Sequence, residues 1–297
     1  MINLLDRLPS FIKSRLNKSR SIALVLSSGG ARGLAHIGVI EELLRNNYQI
    51  TSIAGTSMGA VIGGIYAAGK LQEFKEWASS VDKVKLLRLV DFTFSSQGFI
   101  RGDRVLNEIK KMVGHIHIED LDIPYVTVAT DIKEQEEVIF RKGDLYEAIR
   151  SSMAIPTVFT PNIVDGKELV DGGILNPLPM DLVHRTPGDL LVVVNVNHNG
   201  PLPKPIMKKI VKNERNGWFG SNGNGKAKDK KMGYFDLLMR SFDLTQDKLS
   251  DLIIEKHQPD ILINISRESS GSFEFYRTKE LIEIGKEAFA NRIIKKH

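Results

Sequence analysis

Ile53-Ala54-Gly55-Thr56-Ser57-Met58-Gly59-Ala60 is the stretch on which the reading of this chain turns. A β-rich run, residues 50–54, ends in Gly-x-Ser-x-Gly and passes directly into the small, apolar run 60–69. Gly55 and Gly59, two before and two after the serine, leave room for a sharp strand-to-helix turn. Such a turn presents Ser57 at the top of a sheet and at a helix N-terminus, the context of a nucleophile elbow. A capping serine at the start of a small-residue helix fits the same five residues. An anion site and a base elsewhere in the chain would separate the two readings.

Upstream, residues 21–26 read as a buried strand. They run into Ser27-Ser28-Gly29-Gly30-Ala31-Arg32-Gly33 and then into a helical pattern of Leu34, Ile37, Val39, Ile40, Leu43 and Leu44. Strand, glycine loop and helix together gather backbone N–H groups around an anion, helped by the helix dipole. A dinucleotide-binding loop is one reading, but its fingerprint wants an acidic residue about 20 positions on. The Gly55–Gly59 turn occupies that place. The other reading is an oxyanion hole for the serine that ends the next strand, because adjacent parallel strand ends meet at one edge of a sheet.

Downstream, residues 124–130 and 137–140 read as neighbouring strands, with Asp131 closing the first in a loop role. Residues 145–152 look helical, and Asp165-Gly166 is a hairpin turn signal. Asp171 follows an apolar pair and precedes Gly172-Gly173, so its carboxylate sits where the backbone turns tightly. By itself Asp-Gly-Gly reads equally as a plain turn. Residues 190–196 form a continuous Val-rich strand, as in a parallel sheet. Phe235, Leu238, Met239, Phe242, Leu249, Leu252 and Ile253 mark an amphipathic helix. Residues 260–265 read as a last strand and 281–294 as a last helix, while residues 70–120 read as mainly helical with a turn around Gly98 to Gly102. The alternation predicts one α/β domain over residues 21–297, three-layer α/β/α with a mainly parallel central sheet.

The net charge of +5 is uneven. Residues 1–20 carry +4 and residues 204–231 carry +7, which leaves −6 for the rest. This weakens a whole-domain nucleic-acid role and leaves open contact of two patches with an anionic surface, such as peripheral contact with an anionic membrane. Leu4, Leu5, Leu8, Phe11, Ile12 and Leu16 share a helical face, broken at Pro9, with Ser10 capping the second piece. Residues 199–232 combine three prolines, lysines and a Gly/Asn run, the composition of a flexible basic loop, with Trp218-Phe219 inside it. There is no cysteine, and the seven histidines show no ligand spacing, so no metal is expected. No run reaches the roughly 18 apolar residues of a membrane span. The N-terminus lacks a signal-peptide pattern, which predicts a cytoplasmic protein with peripheral contact at the inner membrane surface.

The motifs together resemble the patatin-like phospholipases, in their bacterial branch. The likeness rests on residues 28–33 with 34–39, the 55–59 elbow, Ser152-Met153-Ala154-Ile155-Pro156, and Asp171-Gly172-Gly173 with Asn176-Pro177-Leu178-Pro179. The resemblance implies a patatin-like fold and hydrolysis of fatty acyl esters of phospholipid or lysophospholipid, with no cofactor. It implies Ser57 as nucleophile and Asp171 as its base in a Ser–Asp dyad. Gly29, Gly30 and Ala31 match the oxyanion loop, and Arg32 and Gly33 orient that loop or the substrate. The family usually has a third glycine where this chain has Ser28. A Ser-His-Asp hydrolase using His184, His198 or His257, and a non-catalytic lipid- or nucleotide-binding protein, are the alternatives.

Overall fold

A computed structural model describes residues 20–89, 92–95, 98–100, 103–201 and 233–295. The expected amphipathic helix at 4–16 and the Trp218-Phe219 pair lie outside the described residues, as does most of the basic segment 199–232.

Five strands form a parallel centre: β1 (Arg20–Leu26), β2 (Tyr48–Gly55), β5 (Tyr125–Asp131), β10 (Leu190–His198) and β11 (Ile261–Ser266). They lie in the order β11-β10-β1-β2-β5. Antiparallel strands flank them: β6 (Glu136–Phe140), β8 (Asn162–Val164), β9 (Lys167–Asp171) and β12 (Ile293–Ile294). The sheet is therefore mixed, parallel at its centre and antiparallel at its margins. Asp165 and Gly166 both take positive φ, 50° and 78°, and close the β8–β9 hairpin as the Asp-Gly pair predicts. A second sheet of β3 (Phe92–Ser95), β4 (Gly98–Ile100) and β7 (Thr157–Phe159) has no clear sequence signal, its strands being three or four residues long.

Both faces of β1 are buried, which is why it reads as an unbroken apolar run. Ile22, Leu24 and Leu26 join the larger core. That core is built with helices α1 (Ala35–Arg45), α2 (Met58–Ala67), α3 (Leu71–Ser79), α5 (Asp103–Val113), α6 (Leu145–Ser152) and α8 (Thr278–Ala290). The short helix α4 (Lys83–Leu89) follows α3. Ala23 and Val25 point the other way, into a smaller core closed by Leu178, Met180, Leu182 and Val183 and by the end of α7 (Tyr234–His257).

Three elements depart from the sequence reading. The turn expected around Gly98 to Gly102 begins as strand β4, Gly98–Ile100, paired with β3 and β7, because pairing with the distant β7 leaves no local signal. The last helix ends at Ala290, and Ile293-Ile294 pair antiparallel with β11, because two β-branched residues add an edge strand there. In α7 the residues buried most deeply are polar, Gln246, Asp247 and Ser250, while Leu238, Leu244 and Leu252 face solvent. This helix packs its polar side onto the glycine loop after β1, so the apolar periodicity did not mark the buried face.

Helices α1 and α8 approach closely through two glycines. A methyl at Gly38 would overlap the Ile282 carbonyl, and one at Gly285 the Ala35 carbonyl. Backbone cannot rotate aside as a side chain can. Gly38→Ala and Gly285→Ala should each lower the unfolding free energy by about 1–3 kcal/mol, read as a lower urea midpoint. Unchanged midpoints in both would refute the close approach.

Candidate active site

The site lies at the carboxyl ends of β1 and β2, where the strand order switches direction: β1 is flanked by β2 on one side and β10 on the other. Leu26 and Gly55 are paired at these two ends, which brings the glycine loop beside the elbow. Ser57 sits at φ 56° and ψ −120°, a strained conformation for a non-glycine residue, just before α2. The turn closes this tightly because Gly55 and Gly59 lack side chains; a methyl on either would strike the backbone of Gly59 or Leu26.

Ser57 Oγ donates to Asp171 Oδ2 at 2.5 Å. The other carboxylate oxygen, Oδ1, accepts from the Gly173 N–H at 2.7 Å, so the glycines after Asp171 turn the backbone onto its own side chain. Burial pushes the Asp171 carboxyl up from 3.8 to about 7, against the two hydrogen bonds it receives. Residues 151–154 brace both partners. Ser152 Oγ accepts the Ser57 N–H at 2.9 Å, and the Ala154 carbonyl accepts the Asp171 N–H at 2.9 Å. Thr56 Oγ1 donates to the Asn176 carbonyl and Thr127 Oγ1 to the Gly55 carbonyl, tying the elbow to its surroundings.

In the glycine loop, Gly30 takes φ +54°, and no acceptor among the described residues engages the N–H of Gly29 or Gly30. The Ala31 N–H, expected with them, donates instead to the Ser272 carbonyl at 2.9 Å, so it is already committed. The Ser28 N–H donates to the Pro177 carbonyl, and its hydroxyl donates to Gln246 Oε1 at 2.9 Å. That pairing accounts for a serine where a third glycine is usual: the side chain anchors the loop to α7.

Arg32 is buried beneath the loop rather than facing open solvent. It donates to Asn197 Oδ1 from Nε and Nη2 (3.3 and 3.0 Å), to the Ser270 carbonyl and to Ser272 Oγ, and it pairs with Asp243 at 3.5 Å. Asn197 in turn donates to the Ser28 carbonyl at 2.8 Å. Desolvation draws the Arg32 pKa below its ordinary value, with Asp243 opposing. Gly33 lies against Met58. Sequence reasoning missed Asn197, Asp243 and Gln246. The one signal available was polar residues recurring at helical spacing (243, 246, 247, 250) within α7.

Gly30 and Ser57 also line an apolar cavity of about 300 Å³. Its walls include Leu34, Val61, Phe74, Trp77, Ile109 and Phe275. Among the described residues, neither Ser57 nor Asp171 hydrogen-bonds a histidine, and no three His, Asp or Glu side chains gather as a metal site.

A family model for patatin-like phospholipases matches residues 24–184. The chain belongs to the patatin-like phospholipase family. The match spans the glycine loop, the elbow and Asp171, and ends before α7. An uncharacterized NTE family protein of Mycobacterium tuberculosis is 35% identical over 333 aligned positions, covering 94% of this chain and 92% of that one. Patatin-like phospholipase domain-containing protein 6 of Homo sapiens is 33% identical over 199 positions, 64% of this chain but 14% of that protein. The crystal structure of VipD from Legionella pneumophila aligns over 94% of this chain and 68% of its own, with a TM-score of 0.46 and 14% identity. No described helix is long and apolar enough to cross a membrane.

Two outcomes test this geometry. Ser57→Gly and Ser57→Ala both remove the hydroxyl, but only glycine relieves the strained φ. Ser57→Gly should therefore be the more stable by about 1 kcal/mol in thermal unfolding, and equal stability would deny the strain. The second concerns pH. An unfolded aspartate releases its proton near 3.8 and folded Asp171 near 7, so the folded state binds more protons between these values. The stability this contributes is full below pH 4 and lost as pH rises through about 7. Asp171→Asn should therefore gain on the parent protein by about 1–3 kcal/mol between pH 5 and pH 8, measured by urea unfolding. A constant difference across that range would remove the buried-carboxyl argument.

Proposed function

We propose that this chain is a serine hydrolase that cleaves fatty acyl esters of phospholipid or lysophospholipid through Ser57 and Asp171. The observation that carries the reading is the 2.5 Å hydrogen bond from Ser57 Oγ to a buried carboxylate, made at the wall of an apolar cavity. Family membership supports ester hydrolysis on lipid as the reaction class.

An aspartate of ordinary pKa is too weak a base for a serine hydroxyl. Asp171, held near 7 by burial, is matched to neutral pH and already shares the proton to be moved. It takes that proton as Oγ bonds to the ester carbonyl carbon. The carbonyl electrons move to oxygen, and the N–H groups of Gly29 and Gly30 face the resulting oxyanion; one such donor is worth roughly 3–4 kcal/mol. Collapse expels the alcohol, which leaves with the proton from Asp171, and the acyl group stays on Ser57. Water then gives its proton to Asp171 and attacks the acyl carbon, and the fatty acid departs as Ser57 recovers its hydrogen. The cavity holds the acyl chain throughout. Arg32 positions the glycine loop through Asn197 and the Ser270–Ser272 turn and does not touch the substrate.

A fluorophosphonate probe should label Ser57, and Ser57→Ala and Asp171→Asn should each lower acyl release by about 10³-fold or more. With the parent protein, kcat/KM should rise with pH and level off above an apparent pKa of about 7. Alanine at His184, His198 or His257 should leave turnover largely intact. A collapse at any one of them would favour a Ser-His-Asp mechanism, and absence of labelling would end the hydrolase reading.

A further inference from the structure

The cavity beside Ser57 opens at α4. Leu87 of that helix lines the cavity, yet is 66% exposed, so the wall reaches solvent there; Leu86 and Phe273 line the same side. At helical spacing Val84 lies next to Leu87 on the outer face and is 57% exposed. Lys83 and Arg88 border the pair on the same exposed face, and Lys85 is half-buried. Lys83-Val84-Lys85-Leu86-Leu87-Arg88-Leu89 thus contains three cations and no acid. The one acid beside it, Asp82, accepts the Lys85 N–H at 2.7 Å and holds the first turn. Lys83 Nζ also lies over the Tyr276 ring at 4.8 Å, a contact at the exposed edge of α4.

A water-facing apolar stripe edged by cations is the pattern of a helix that lies in a membrane interface. We infer that the exposed face of α4 docks on an anionic lipid surface and sets the cavity mouth against it. Val84 and Leu87 enter the acyl boundary while Lys83 and Arg88 meet lipid phosphates. An acyl chain then passes from the bilayer along Leu87 and Leu86 toward Ser57 without crossing bulk water. The inference rests on the proposed lipid hydrolase in its choice of a lipid occupant, but docking itself needs no turnover. Charge and position decide the occupant: among the described residues of α4 the ionised groups on this face are Lys83 and Arg88, and the face is continuous with an apolar cavity that ends at the candidate nucleophile.

Val84→Asp and Lys83→Gln/Arg88→Gln change the face without touching a cavity-lining residue. Each is made in the parent and in Ser57→Ala, and binding is measured by co-sedimentation with phosphatidylglycerol/phosphatidylcholine vesicles. Pure phosphatidylcholine vesicles are the control. Each interfacial cation contributes about fivefold, so the double variant should bind anionic vesicles about 30-fold more weakly, and Val84→Asp about tenfold more weakly. Hydrolysis of vesicle lipid should fall in parallel, with p-nitrophenyl butyrate turnover preserved. Circular dichroism checks folding, and the double variant, which replaces two exposed side chains conservatively, keeps the test valid if Val84→Asp misfolds.

Anionic-vesicle binding unchanged in both variants would overturn the inference. So would a concentration-dependent dimer that Val84→Asp dissolves, which would assign the face to a second copy of the chain. Vesicle binding that obeys these variants in a protein lacking any ester hydrolysis would instead sink the hydrolase reading and leave the docking face standing.

Discussion

The hydrogen bond between Ser57 and Asp171 is the constraint around which the rest of this molecule is arranged. It joins residues 114 apart in the chain and is buried, so neither partner can borrow water to satisfy itself. Ser57 reaches it only from a backbone angle that a side chain disfavours, held by the parallel β1–β2 pair and by glycines that let α2 lie against the strand end. Asp171 reaches it from the end of an antiparallel strand, β9, paired to the far half of β5. The antiparallel margin of the sheet thus delivers the carboxylate to the parallel centre.

A buried carboxylate and a loop with two N–H groups that no described acceptor engages both oppose stability, and the surroundings offset this with polar side chains rather than apolar packing. Arg32, Asn197, Asp243, Gln246 and Ser272 form a network under the loop, drawn from β10, α7 and the turn before α8. Asn197 and Gln246 fix the carbonyl and the hydroxyl of Ser28, the Ser272 carbonyl takes the Ala31 N–H, and Arg32 and Asp243 tie these anchors together. The network also explains why α7 buries its polar side, an arrangement that a purely hydrophobic core would not produce.

The cavity and the network divide the site into two environments. On one side, Leu34, Val61, Phe74 and Trp77 line an apolar cavity that reaches Ser57, whose hydroxyl meets a carboxylate raised by its own burial. On the other, the N–H groups of Gly29 and Gly30 meet no acceptor among the described residues. The same division extends to the surface at α4, where the apolar side of the site meets solvent between cations.

Much of this was legible in the sequence by itself. The Gly-x-Ser-x-Gly turn, the glycine loop and Asp171-Gly172-Gly173 could be read because each places glycines, which permit a positive φ or a close approach of neighbouring atoms, beside an apolar strand, and both signals are local. The central strands were legible for the same reason, since a strand buried on both faces is apolar at every position. What only the tertiary structure decided is where side chains from distant segments converge. Nothing local distinguishes Gln246 or Asp243 from other polar residues of an amphipathic helix. Nothing local tells that the Ala31 N–H is taken by Ser272, or that Ile293-Ile294 leave the helix to pair with β11. Those choices depend on which surface each element meets, and periodicity records how much of an element is buried, not what it is buried against.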